Sequence, residues 1–253
     1  MNFMIWPQWD PGTVIGYSLF AILCLSFGFL EQRGLLLLNY SRFRKTSGIS
    51  SRTGMFILYF VPIVVYALFS RSHMDAPTLV QSLLFWAIVG HFAKRCLEVL
   101  FVHKYSGPID LPTVAQIAMA YSLATFLLAR LHTVTIATID PLFIVGGALF
   151  IFGEFFNFYH HKLLADLRQV EGQEQKYAIP SRGLFPLITA PHYLMELCAW
   201  LGIALMSRHL GAYMIFIWTC GYLFGRALRT HQWYHQNFAN YPRERKAIVP
   251  FAL

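Results

Sequence analysis

The last apolar stretch of this chain carries Arg226, Arg229, Thr230, His231, Trp233, Tyr234 and Asn237. Most of these fall three or four residues apart and so share one face of a helix. Ionisable side chains at membrane depth are costly and are kept where they line an internal cavity. Arginine offers a planar donor fork suited to phosphate. The pattern therefore points to a site for a large anionic ligand, built inside a helical bundle.

Three further constellations extend that site. In the fifth apolar segment Glu154, Asn157, His161 and Arg168 fall within an arc of about 60°. This stripe runs from the segment's interior to a basic loop, which suits a ligand with hydrogen-bonding rings at one end and phosphates at the other. The bland alternative is polar glue between helices. In the third segment His91, Lys94, Arg95 and Glu98 span an arc of about 100°. They form a cavity wall or an interfacial salt-bridge cluster. In the sixth, His192, Glu196 and Trp200 repeat at i, i+4 and i+8 on one face. A loop before it, Tyr177-Ala-Ile-Pro-Ser-Arg-Gly-Leu-Phe185, adds Arg182 beside Gly183. No metal site is expected, because His192…Glu196 lacks the second histidine of the HExxH zinc pattern. No GxGxxG or P-loop is present either, so any dinucleotide must be held by side chains of several helices.

The elements that must position these groups are apolar helices. The chain is 57% hydrophobic and 13% charged, with a mean hydropathy of +0.50; soluble domains carry about 25% charged residues. An all-α, multi-pass membrane bundle is expected, as a single domain over residues 1–253. Seven spans are read from the apolar runs, near Thr13–Leu30, Thr53–Ser70, Thr78–Val102, Pro112–Arg130, Pro141–Ala165, Leu184–Met206 and Gly211–Trp233. Pro62, inside the second, could kink it. Cys24, Cys96, Cys198 and Cys220 are scattered through apolar segments and read as packing residues.

The net charge of +8 fits span flanks better than nucleic acid, for which no binding motif accompanies it. Arg33, Arg42, Arg44, Lys45 and Arg52 lie in the first loop, Lys104 in the third, and Lys162, Arg168, Lys176 and Arg182 around the fifth. Arg243, Arg245 and Lys246 lie in the tail. The even loops contribute only Arg71, Arg130 and Arg208. Seven spans put every base-rich segment on one side, with the N-terminus outside and the C-terminus cytoplasmic. Arg243, Arg245 and Lys246 read as a surface anchor to anionic lipid.

The tail Arg226-Ala-Leu…His231-Gln-Trp-Tyr234…Tyr241-Pro-Arg-Glu-Arg-Lys-Ala-Ile-Val-Pro-Phe251 resembles the C-terminus of the steroid 5-alpha-reductases. So does the series Asn157…Arg168…Tyr177-Ala-Ile-Pro…Gly183-Leu-Phe185…Glu196…Trp200. Lys94-Arg-Cys-Leu-Glu-Val-Leu-Phe-Val-His103 is similar to the third-span motif of the very-long-chain trans-2-enoyl-CoA reductases of the same superfamily. The resemblance implies NADPH as cofactor, held by Arg95, Asn157, His161, Arg168, Tyr177, Arg182, His192, Glu196, Trp200, Arg226, Thr230, His231 and Tyr234. His161 replaces the aspartate usual in the steroid enzymes, and Thr230 a histidine. Their His-Tyr pair is His91-Phe92 here, without the phenol, and their second-span glutamate has no clear match; Tyr59 lies in that region.

The implied activity is reduction of the C4=C5 bond of a 3-oxo-Δ4 steroid, or of a trans-2-enoyl-CoA. A steroid or other lipophilic enone would enter from the bilayer of a bacterial inner membrane or endoplasmic reticulum, and the chain would act as a monomer. Tyr193 or Tyr59 is expected to donate the proton, with His91 as helper, since a phenol near its ordinary pKa of about 10 is protonated at neutral pH. Two readings compete. A membrane methyltransferase using S-adenosylmethionine would carry Arg-His-Pro-x-Tyr and paired glutamates, of which Pro191-His192-Tyr193 is a scrambled echo. A sterol- or lipid-binding protein would not need so many inward bases.

Overall fold

A computed structural model describes residues 4–36, 38–40, 43, 47–71, 75–105, 107–134, 138–168 and 177–252. Arg42, Arg44, Lys45 and Lys176, four of the bases used to orient the chain, lie outside the described residues. The helices begin where the sequence supplies caps. Asp10, Asp110 and Asp140 each accept a backbone N–H three residues on, ahead of α1 (Pro11–Gln32), α4 (Leu111–Leu131) and α5 (Pro141–Asp166). Pro11, Pro112 and Pro141 occupy their first turns, where a missing N–H costs little. Thr78 and Gln81 form a reciprocal capping box at the start of α3 (Leu79–Leu97), which runs on into a π-helical turn, Glu98–Val102. α2 (Ser51–Arg71) is continuous through Pro62. A 3-10 turn, His132–Val134, extends α4.

α6 (Pro191–Ser207) starts seven residues later than its apolar run suggests. Residues 184–190 are instead tied to the tail: Thr189 N donates to Lys246 O at 2.8 Å and Ala190 N to Ala247 O at 3.1 Å. α7 (Leu210–Asn237) is the longest helix described. A two-residue antiparallel ladder of β1 (Ile49–Ser50) and β2 (Pro108–Ile109) joins the first and third connections, a small departure from the all-α expectation.

α5 packs along α6, α1 along α7, and α2 along α3 and α4. Glycines let two of these pairs approach backbone to backbone. A Cβ at Gly153 or Gly202 would collide across the α5–α6 seam, and one at Gly28 or Gly225 across the α1–α7 seam. Outward faces carry Leu19, Ile22, Leu68, Met119, Ile144, Ile151 and Phe155, all exposed. Such faces suit lipid rather than water. α1, α2, α5 and α4 with its 3-10 turn are long and apolar enough to cross a membrane. α3 carries Lys94 and Arg95 in its last turn, α6 has 17 residues, and α7 buries Arg226.

Candidate active site

Successive helices alternate in direction, so one end of the bundle gathers the starts of α2, α4 and α6 with the ends of α3, α5 and α7. A cavity opens there. Its wall includes Tyr59 from α2, Arg95 from α3, Tyr121 from α4, His161 from α5, His192, Tyr193 and Glu196 from α6, and Arg226, Thr230 and Tyr234 from α7. Connecting segments add Tyr40, Phe43, His103, Lys104, Tyr105, Arg168 and Tyr177. Met55, Leu58 and Ile117 make part of the wall apolar.

Arg95 is buried and held through both terminal nitrogens. It pairs with Glu98 Oε2, and its Nη2 donates to Tyr59 Oη at 2.9 Å. That leaves the Tyr59 hydroxyl proton available to another acceptor. Arg226 is also buried. It binds Glu31 Oε1 at 2.7 Å and Tyr40 O at 3.2 Å, with its guanidinium 4.0 Å from the Tyr40 ring centroid. Glu31 is the residue the sequence reading missed. It stands just beyond the expected first span, and an acid at the end of an apolar run was its only mark. Arg168 donates to Lys104 O and lies 5.1 Å from the centroid of Tyr177. Burial, with Arg95, Arg168 and Lys94 behind it, pushes His103 down to about 3, so its ring is neutral. Burial likewise pushes the Tyr40 and Tyr105 phenols up.

The polar stripe on α5 divides. His161 and Arg168 face the cavity. Glu154 and Asn157 turn to α3 and α6 instead: Glu154 binds His91 Nδ1 at 2.6 Å and Lys94 Nζ at 2.9 Å. Asn157 Oδ1 accepts from Lys94 at 2.7 Å while its amide nitrogen donates to His192 O at 2.8 Å and Glu196 Oε2 at 3.3 Å. Asn157 thus sets the start of α6 and the Glu196 carboxylate rather than the cavity wall. His91 is buried behind the wall against Trp200, whose ring centroid is 5.2 Å away. His91, expected as helper to the proton donor, and Asn157 and Trp200, expected on the cofactor, stand behind the wall rather than on it.

Arg182 is exposed and off the cavity. Its neighbour Gly183, at φ +61°, packs on His160 and Tyr159, not on a ligand site. His231 is also off the wall: its Nδ1 lies 2.6 Å from Thr189 Oγ1, and Thr189 Oγ1 lies 2.7 Å from Tyr241 Oη. His235, one turn on from His231 and passed over in the sequence, brings its Nε2 to 3.2 Å from His231 Nε2. Arg245 is buried beneath Tyr241, 4.8 Å from the ring centroid, so it is not a lipid anchor; Arg243 is exposed.

A family model described as 3-oxo-5-alpha-steroid 4-dehydrogenase matches residues 108–253, which span β2 and α4 to α7. The chain belongs to this family. Its members among curated proteins include 3-oxo-5-alpha-steroid 4-dehydrogenase 1 of Homo sapiens, 31% identical over 200 residues that cover 76% of each chain. The Rattus norvegicus protein of the same name is 31% identical over 185 residues, 66% of this chain and 71% of that one. A very-long-chain enoyl-CoA reductase of Dictyostelium discoideum is 27% identical over 202 residues, 78% of this chain and 65% of that one. As a 3-oxo-5-alpha-steroid 4-dehydrogenase family member with apolar membrane helices, the chain is a membrane oxidoreductase.

Proposed function

We propose that this enzyme uses NADPH to reduce a C=C bond conjugated to a carbonyl, with a 3-oxo-Δ4 steroid as substrate and C4=C5 as the bond reduced. One observation supports this most: the Arg95–Tyr59 pair stands in a cavity that also holds Arg168, Arg226 and an apolar wall. The residues suit a phosphate-bearing dinucleotide. Arg168, Arg226 and Lys104 supply positive charge, and Glu196, His192 and Thr230 supply hydrogen-bonding groups at the wall. Arg95 Nε is buried on the wall without a hydrogen bond, which a bound polar ligand would relieve.

When bound, NADPH supplies the hydride that adds to the β-carbon of the enone. Negative charge then develops on the carbonyl oxygen. The Tyr59 O–H would donate to that oxygen, with Arg95, fixed by Glu98, placing a positive charge behind the phenol, and the enol would return to the ketone as its α-carbon takes a proton from water. A donor aimed where charge develops stabilises the transition state selectively. Tyr193, on the wall at the start of α6, is the alternative donor. Glu154 holds His91, which acts as a prop for α3 against α5. All seven helices cross the bilayer in this reading, with the cavity end and tail cytoplasmic and the substrate entering from lipid.

Trans-2-enoyl-CoA reduction is the second reading. Phe92 favours it, since position 92 lacks the phenol that the steroid enzymes carry and is packed between Tyr121 and Trp200. Purified enzyme is to be given NADPH with progesterone or testosterone, and separately with a long-chain trans-2-enoyl-CoA, while nicotinamide absorbance is followed. Oxidation with the steroid alone supports the first reading, with the thioester alone the second. No oxidation with either, together with no NADPH binding, overturns both.

A further inference from the structure

Glu98, His103 and His161 meet in a group that the reduction mechanism uses only in part. Glu98 opens the π-helical turn after α3, His103 follows that turn, and His161 lies in the last two turns of α5. One carboxylate oxygen and one ring nitrogen from each histidine lie within 4.8 Å of one another. Glu98 Oε1, His103 Nε2 and His161 Nε2 are all buried, and none makes a hydrogen bond. Buried polar atoms are nearly always paired, and a bare cluster calls for an ion or water. Three such atoms converging from two elements are one feature, not three defects.

The outer contacts are those of a ligand set. His103 Nδ1 lies 3.2 Å from Tyr105 Oη, which orients the ring with Nε2 inward. Arg95 holds Glu98 through Oε2, the oxygen that lies 3.9 Å from His103 Nε2, and so fixes the carboxylate beside the two rings. Lys94 Nζ, 3.4 Å from Oε1, is drawn away to Glu154 at 2.9 Å and Asn157 at 2.7 Å.

We propose that Glu98, His103 and His161 bind a divalent transition-metal ion of the zinc class, with its remaining coordination position facing the cavity. Two imidazoles and one carboxylate are the donor set of open zinc sites and of two-histidine, one-carboxylate iron sites. Ligand distances of about 2.0–2.2 Å put tetrahedral donors about 3.3–3.5 Å apart. The three groups therefore close by at most about 1.5 Å on metal binding. Magnesium and calcium are disfavoured, because they take oxygen donors and the nearby Lys94 and Arg95 offset the single carboxylate.

The test needs neither NADPH nor substrate, so it stands apart from the reductase reading. Metal-stripped protein in detergent micelles is titrated with Co2+, then with Zn2+. One equivalent of Co2+ should give the visible bands of a low-coordinate site, Zn2+ should displace it, and the unfolding temperature should rise. His103→Gln and His161→Gln should each weaken binding by about tenfold or more, the scale on which even outer contacts count. His235→Gln should leave it unchanged. X-ray absorption of the zinc form, which needs no variant, should show two imidazoles. Binding that fails to saturate near one equivalent overturns the proposal. So does binding lost with His235→Gln but kept with His161→Gln, or a zinc spectrum without imidazole.

Discussion

His132 and His161 both place an imidazole inside the bundle, at opposite ends. His132 has each ring nitrogen in a hydrogen bond, Nδ1 to Tyr66 Oη at 2.7 Å and Nε2 to Ser207 Oγ at 2.8 Å, and all three residues are buried. The chain ties α2, the end of α4 and α6 together, away from the cavity that holds Arg95 and Arg226. His161 lies on the cavity wall with Nε2 unpaired among Arg95, His103 and His192. Residue type is the same at both ends; satisfaction differs. A completed polar network holds helices in place, whereas an incomplete one beside a cavity awaits a ligand.

This contrast predicts that variants at the two ends fail in different assays. The largest effect is expected at Tyr59. Tyr59→Phe should lower turnover about 100-fold or more, the usual contribution of a positioned acid, while NADPH affinity and unfolding temperature change little. If turnover persists, the donor is Tyr193 and the matching Tyr193→Phe variant should show the loss. His132→Phe should do the reverse. It strands the Tyr66 and Ser207 hydroxyls in a sealed interior and should cost about 2–4 kcal/mol in denaturant unfolding, with KM for NADPH unmoved.

His161→Phe should change stability by less than about 1 kcal/mol, because it removes a polar atom that has no partner. It should weaken NADPH binding, measured by fluorescence. A large stability loss there would erase the contrast. The smallest effect concerns Asp140, at the His132 end. A hydrogen bond from Arg208, then one from the Phe143 N–H, holds its carboxyl below the usual carboxylate range. A depressed carboxyl stabilises the fold above its unfolded pKa, and that stability is lost as pH falls through the folded value. Asp140→Asn should remove this acid sensitivity from the unfolding curve below about pH 4.

Apolar run length located the seven α-helices of the described residues, because hydropathy along a run is a local property. The start of α6 was misread for the opposite reason. Leu184–Ala190 is apolar enough to extend the helix, but Thr189 and Ala190 donate to the carbonyls of Lys246 and Ala247, and Lys246 N donates to Leu187 O, which holds the segment in turns. Within the site, helical spacing put Glu154, Asn157, His161 and Arg168 on one line, of which His161 and Arg168 reach the cavity. It could not say where along that line the cavity ends and the α3 contact begins. Arg226 was marked as too deep to stand alone, yet its partner Glu31 is 195 positions away, and nothing local to either residue announces the pair.

The pairing of Thr189 and Ala190 with Lys246 and Ala247 has a practical side. That backbone clasp also seats Thr189 against His231 and Tyr241, so α7 is braced by the segment from Tyr241 to Ala247. Cropping the chain before position 246 would release the lead-in to α6 and, with it, the His192–Glu196 wall.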